Sequence, residues 1–269
     1  MKKIIKNMAM IGFLVLFFPY TATLLMGGRQ GIHQEKALPE LEYQVLYRLM
    51  AEDYSWMAEK TLDVMAILYR TECVRQGGKE EIKNISMELY EENYDRAYEA
   101  VVRTEGQVVT IDGKYKELPY HAVSAGNTRD GRLLGEEYDY IVSVACPDDL
   151  ECDSYLQVFS LAKEELCEAL GEDISSEELS LERDSTDYVT TAVCGTNTWQ
   201  GENFRTLLRL PSSCFWLEET ENGVRVTVKG SGHGFGISLY TADRMIREGK
   251  EIAEIFQTFY RNTECITIL

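Results

Sequence analysis

Apolar positions recur at two periods along the chain, and the switch between them separates a helical first part from a β-rich remainder. Leu41, Val45, Leu46, Leu49 and Met50 share one helical stripe, and Leu62, Met65, Ala66, Tyr69 and Cys73 share another. The second stripe predicts a helix over 57–74 with Arg70 at the edge of its apolar face, and Gln76-Gly77-Gly78 supplies a C-cap. A third helix, rich in Glu and Tyr, is expected over 80–103, solvated except for a face of Ile85, Leu89 and Val101. From Gly106 the period falls to two. Residues 107–111 alternate, Asp112-Gly113 predicts a hairpin turn, and a second strand is expected to lead into 119–124. Strand-like runs follow at 138–145, 155–160 and 192–197, with helices expected over 161–170 and 203–208. Val224 to Val228 alternates as a strand and breaks into Gly230-Ser231-Gly232-His233-Gly234-Phe235-Gly236, after which a helical period runs from Ile237. This pattern predicts an α+β fold, a single domain of mixed helices and antiparallel β segments.

Ahead of that domain the pattern is of another kind. Lys2, Lys3 and Lys6 precede an uncharged, mostly apolar run from Met8 to Met26, long enough to cross a bilayer with the lysines on the cytoplasmic side. A cleaved signal peptide is the rival reading, although its apolar region is normally shorter. The expectation is a cytoplasmic tail and signal-anchor transmembrane helix over 1–28, a juxtamembrane linker over 29–38, and an extracytoplasmic domain over 39–269. The formal net charge of −18, with no basic stripe to offset it, argues against nucleic acid as a partner.

Candidate chemistry lies at three places. The glycine stretch permits close backbone approaches around His233, as a ligand groove or a tight strand-to-helix turn would need. It lacks the G-x-G-x-x-G spacing of dinucleotide folds, and the three histidines show no metalloprotease spacing. Cys146 and Cys152, two of seven cysteines, could close a small disulfide loop, supply two metal ligands or stay reduced. Glu52 falls three residues after Leu49 and seven after Val45, so helical spacing puts it on their apolar stripe. Burial there, at the negative end of a helix dipole, would help a carboxyl hold its proton near neutrality, as a general acid must. The plainer reading is an acidic residue fraying at a helix end. His121 and Ser124 are three apart, which in an extended strand puts them on opposite faces and disfavours a Ser–His catalytic pair.

Taken together, several segments resemble the stage II sporulation protein D family of bacterial cell-wall enzymes. The resemblance rests on Leu41-Glu42-Tyr43 through Ala51-Glu52, Thr61-Leu62 through Arg70-Thr71, and Thr104-Glu105-Gly106-Gln107-Val108. It continues through Tyr120-His121-x-x-Ser124-x-Gly126-x-Thr128, Phe204-Arg205 with Leu210-Pro211-Ser212, and the Gly-x-Gly-His-Gly-x-Gly-x-Ser core of Gly230 to Ser238, in the family's order. It implies a lytic transglycosylase that cleaves the MurNAc–GlcNAc bond of peptide-stripped glycan strands during forespore engulfment. The implied setting is the space between forespore and mother cell, with a cell-wall amidase and a membrane protein as partners. By residue, it implies Glu52 as the catalytic acid and base. Arg70, His121, Ser124, Asn127, Thr128, Gly232, His233, Ser238 and Tyr240 are the implied sugar-binding positions. No cofactor is required; some members bind zinc through one histidine and two cysteines, and here Cys146 and Cys152 keep the spacing while Tyr140 stands at the third position. Asp53-Tyr54 after Glu52 and Leu239 after Ser238 depart from the family's usual residues. An amidase-modifying glycan binder without catalysis is the alternative expectation.

Overall fold

Two buried charges show where the helical part is anchored, although in the sequence both look like ordinary helix residues. Arg70 is fully buried and donates from Nε and Nη2 to the Glu42 carboxylate at 2.8 and 2.7 Å. The remaining donors reach the Gln107 carbonyl at 3.0 Å and the Thr104 hydroxyl at 3.2 Å, while Glu42 also accepts the Gly106 amide. One ion pair thus joins helix α1 (Glu40–Met50), helix α2 (Glu59–Arg75), the end of helix α3 (Met87–Arg103) and the start of strand β1 (Gln107–Ile111). The structure, a computed structural model, describes residues 37–78, 87–171 and 179–268. The expected membrane span, most of the linker and the first turns of the 80–103 helix lie outside the described residues. Among the described residues no helix is long and apolar enough to cross a membrane.

Helix α2 is the centre of the helical part. It is buried on nearly every side from Thr61 to Cys73, because α1, α3 and β1 all pack on it. It ends at the predicted glycines: the Gly78 amide bonds back to the Cys73 carbonyl, and both Gly77 and Gly78 have φ of +71°.

The turn at Asp112-Gly113 forms, closed by a 2.9 Å bond from the Ile111 amide to the Lys114 carbonyl, but no hairpin strand follows. Strand β1 instead pairs antiparallel with the C-terminal strand, Thr263–Thr267. A turn signal reports the local bend and cannot report which distant strand takes the free edge. Strand β2 (Tyr120–His121) is short and lies parallel to Ile237–Ser238. The strand expected over 138–145 is also absent. Single 3-10 turns and isolated bridges stand there, because Gly131, Thr128 and Phe259 satisfy the backbone of Ile141, Val142 and Val144 one group at a time.

The strands expected over 155–160 and 224–228 and the helices expected over 161–170 and 203–208 form, the run expected over 192–197 turns at its middle, and strands at 179–183 and 215–220 arise where none was predicted. Strand β3 (Leu156–Ala162), helix α4 (Lys163–Leu170), strands β4 (Leu179–Arg183), β5 (Val189–Cys194) and β6 (Asn197–Gln200), helix α5 (Gly201–Leu207), and strands β7 (Phe215–Thr220) and β8 (Gly223–Lys229) come in order. They form two antiparallel sheets, β3-β8-β7 and β4-β5-β6, around a core of Leu166, Val189, Phe204, Phe215 and Val226. Strand β9 (Ile237–Ser238), helices α6 (Leu239–Arg247) and α7 (Ile252–Phe259), and strand β10 (Thr263–Thr267) complete the unit Glu40–Leu269. The fold is α+β, with helices set against mainly antiparallel sheets.

Arg70 therefore does not face a sugar, as the resemblance implied; its guanidinium is consumed inside the fold. Replacing Arg70 with Met should cost about 3–5 kcal/mol of stability, because it strands the buried Glu42 carboxylate. Urea unfolding of the variant against wild type measures this, and a loss below about 1 kcal/mol would contradict the assignment.

Candidate functional site

Residues 51–58 form the segment on which the site is built. Helix α1 stops at Met50, and the Ala51 and Glu52 amides bond three residues back, to Arg48 and Leu49, at 3.3 Å each. This tightening swings Glu52 off the apolar stripe. Its side chain is exposed, not buried as helical spacing predicted.

Side chains from two helices hold the segment's backbone. From α3, Asn93 donates to the Glu52 carbonyl at 2.7 Å, and Arg96 donates to the carbonyls of Tyr54 at 3.0 Å and Met57 at 2.7 Å. From α6, Arg247 donates to the Trp56 carbonyl at 3.1 Å. Ala58, at the N-cap of α2, has no side-chain oxygen to cap with, and Asp243 takes that role from a distance. Its Oδ1 accepts the Ala58 amide at 2.6 Å and the Thr61 hydroxyl at 2.7 Å. The described part of the expected solvated helix is thus a clamp on the Glu52 segment. Asp53 turns into its own bend, and hydrogen bonds from the backbone and hydroxyl of Ser55 lower its pKa.

Beside Glu52 lies a group of tyrosines. Burial raises the pKa of Tyr54 and Tyr69 well above the ordinary phenol value, and the nearby charge of Glu52 adds to both shifts. The Tyr120 hydroxyl donates to that of Tyr69 at 3.1 Å, and the Arg48 guanidinium sits 4.7 Å above the Tyr69 ring. Arg48, Tyr69, Lys116, Pro119, Tyr120 and His233 line a cleft of about 360 Å³. On α6, Tyr240 is half-buried and stacks on Trp56 with ring centres 6.0 Å apart and planes 29° apart.

The glycine loop is a crossing point of backbones. The amides of Gly230 and Gly232 donate to Tyr155 and Pro211, Ser231 exchanges two bonds with Val123, and the Arg129 amide donates to the Gly234 carbonyl. Gly232 has φ of +113°, and a Cβ there would lie 2.5 Å from His121 Cβ; at Gly236, φ +68°, it would strike the Pro119 carbonyl. Arg129 supports the loop from within, paired with Asp184 at 2.7 Å and bonded to the His233 carbonyl at 3.2 Å.

The two loop-side histidines have different tasks. His233 Nδ1 accepts the Phe235 amide at 3.0 Å, and a hydrogen bond to the Tyr120 backbone engages the ring further, so the loop itself orients this side chain. Burial lowers its pKa, against the opposing charge of Glu202. His121 lies 5.8 Å from it, centre to centre, and is buried. Its Nδ1 meets the Phe235 carbonyl at 3.1 Å; a carbonyl only accepts, so the proton sits on Nδ1 and the buried Nε2 has no hydrogen-bond partner among the described residues. Burial, with the charge of His233 second, takes its pKa down to about 3.

Three other expected sugar contacts are interior. Ser124, Thr128 and Ser238 are fully buried. The Ser124 amide and the Ser238 and Thr241 hydroxyls all donate to Asp149, at 2.6, 2.7 and 2.7 Å. The Thr128 hydroxyl donates to the Val142 carbonyl and accepts the Val144 amide. Their polar atoms are spent on the fold. Asn127 is exposed, and Gly232, His233 and Tyr240 are half-buried. Asp149, Arg129, Asn93, Arg96 and Trp56 do not stand out in the sequence, since no local motif marks a residue whose partners lie scores of positions away.

Cys146 and Cys152 are free thiols. Cys146 is buried, which raises its pKa to about 11, while Cys152 faces the Ser154 hydroxyl at 3.3 Å. Tyr140 spends its hydroxyl on the Glu117 carbonyl, and among the described residues no three metal-binding side chains converge. This donor set does not fit zinc.

His121 makes stability depend on pH. Folded, it stays neutral down to about pH 3, whereas unfolded it titrates near 6.5, so between those values the unfolded chain binds the extra proton. Stability should be complete above pH 6.5 and fall below it, by about 2 kcal/mol at pH 5. Denaturant unfolding at about pH 7.5 and pH 5 should show this slope in wild type and a shallower one in His121→Gln. Equal slopes would overturn the assignment.

No family model matches the chain. It is 28% identical over 190 residues to stage II sporulation protein D of Bacillus subtilis (strain 168), covering 69% of this chain and 55% of that protein. It is 27% identical over 179 residues to stage II sporulation protein D of Bacillus amyloliquefaciens, covering 65% and 52% respectively. An uncharacterized protein of Brachyspira hyodysenteriae is 26% identical over 179 residues, covering 62% of this chain and 48% of that protein. The chain spans about half the length of the curated relatives it matches. The resemblance carried by the motifs is thus matched by two stage II sporulation protein D sequences, to which this chain is similar over about two thirds of its length.

Proposed function

We propose that this chain is a sporulation protein that cleaves peptidoglycan glycan strands as a lytic transglycosylase. Its substrate would be the MurNAc–GlcNAc bond of strands stripped of their peptides. The observation that carries the reading is Glu52, an exposed carboxylate whose backbone two helices clamp beside a tyrosine-lined cleft. An ordinary glycosidase needs two carboxylates, one of them to activate water or attack the sugar. A lytic enzyme needs one. Protonated Glu52 gives its proton to the glycosidic oxygen as the C1–O bond breaks. The C6 hydroxyl of the same MurNAc then closes on C1 and returns a proton to the Glu52 carboxylate, leaving a 1,6-anhydro end. Asp53 does not compete for that proton, since Ser55 stabilises its charge.

A general acid must hold its proton near neutral pH, and the exposure of Glu52 removes the burial that sequence periodicity offers for this. A strand lying over the segment would restore the desolvation. The same exposure favours a second reading, in which the chain holds glycan for a cell-wall amidase without cutting it. In either case we place its work at the membrane during forespore engulfment, with an amidase and a membrane protein as partners and no nucleic acid.

Incubation with peptide-free glycan strands, followed by mass spectrometry, separates the two readings. Wild type should release 1,6-anhydro ends, and Glu52→Gln should release them about 10²–10⁴ times more slowly while still binding strands. Binding without any anhydro product from wild type would establish the second reading. Cleavage by Glu52→Gln at the wild-type rate would remove Glu52 from the mechanism.

A further inference from the structure

The stacked pair Trp56–Tyr240 joins the clamped segment to α6 and lies partly at the surface. Trp56 keeps 38% of its surface exposed, and Tyr240 is half-buried on the opposing side of the same contact. Large aromatic side chains usually bury themselves, and here Tyr240 covers one side of the Trp56 ring while more than a third of Trp56 stays exposed. The pair is fixed from both ends. Trp56 stands four residues after Glu52 on the clamped segment, and Arg247 holds its carbonyl. The Tyr240 amide donates to the Ala122 carbonyl at 3.1 Å, two residues along from Tyr120, which lines the cleft. Trp56 therefore shares the clamped segment with Glu52, and Tyr240 is tied to the chain just past the cleft-lining Tyr120.

We propose that the outer face of Trp56, backed by Tyr240, is a stacking platform for one pyranose ring of a glycan strand, a subsite separate from the Arg48–Tyr120 cleft. This rests on the glycan-strand reading above. A pyranose presents an apolar face of C–H groups edged by hydroxyls, and flat aromatic rings match that face while the hydroxyls stay in water. The platform would hold a neutral part of the strand. That suits a chain of net charge −18, which gains nothing electrostatically from an anionic ligand.

Binding of peptide-free glycan strands is measured on the full chain carrying Glu52→Gln, so that the ligand is not consumed. Trp56→Ala in that background should weaken binding roughly three- to tenfold, and Trp56→Phe should recover most of it. Strand titration should also change the fluorescence of the Glu52→Gln chain. The change should vanish in Trp56→Phe, although Trp199 and Trp216 remain. Should Trp56→Ala fail to fold, the fluorescence of Trp56→Phe still decides the matter. If the Glu52→Gln chain binds strands but Trp56→Ala binds them equally and the fluorescence change survives Trp56→Phe, the platform is wrong and the glycan reading stands. A docking role for these rings toward another protein would give that result. If neither wild type nor Glu52→Gln binds strands, the glycan reading falls and takes the platform with it.

Discussion

The carboxylate of Asp149 is the contact on which the site's geometry depends. A buried carboxylate is costly unless its lone pairs are met, and here the donors come from other parts of the chain. The Ser124 amide is 25 residues away, the Ser238 hydroxyl 89, and the Thr241 hydroxyl 92. Satisfying Asp149 brings the exit of β2, the 3-10 turn at Pro147–Glu151 and the first turn of α6 to one point. Ser238 serves twice, since it is also the N-cap of α6 and accepts the Thr241 amide. The direction in which α6 leaves the glycine loop is set there, and with it the placement of Tyr240.

The same device recurs. Glu42 takes Arg70, Asp184 takes Arg129, and Asp243 caps α2 from α6. Each is a buried carboxylate matched by donors from a remote segment. A chain with such an acidic balance places some of its carboxylates inside, where each demands particular partners and so disfavours other packings. Three of the four lie near parts of the proposed site. Asp149 orients α6, Asp184 holds Arg129 under the glycine loop, and Asp243 fixes the end of the Glu52 segment.

This arrangement separates holding from reacting. The glycine loop and its histidines are largely occupied with one another and with the backbone around them. Glu52 and Trp56 stand on a segment whose carbonyls are clamped by Asn93, Arg96 and Arg247, with both side chains exposed at the surface. Under the proposed reading, the strand itself supplies the dry surroundings that a carboxylic acid needs.

Hydrophobic periodicity determined the α+β class, the helices around Leu46, Tyr69 and Phe204, and the strand leading into the glycine loop, because each depends on residues a few positions apart. The motifs carried the resemblance to the stage II sporulation proteins that the chain is similar to. Burial and pairing were beyond them. Helical spacing puts Glu52 inside only when it is extended two residues past Met50, where the chain has already turned. Arg70, Ser124, Thr128 and Ser238 carry polar groups that would suit a sugar, but distant carboxylates and carbonyls claim them first. The hairpin at Asp112-Gly113 loses its strand to Thr263–Thr267 for the same reason. Local order follows from neighbours in sequence, whereas hydrogen-bond satisfaction is settled among groups that meet only when the chain has folded.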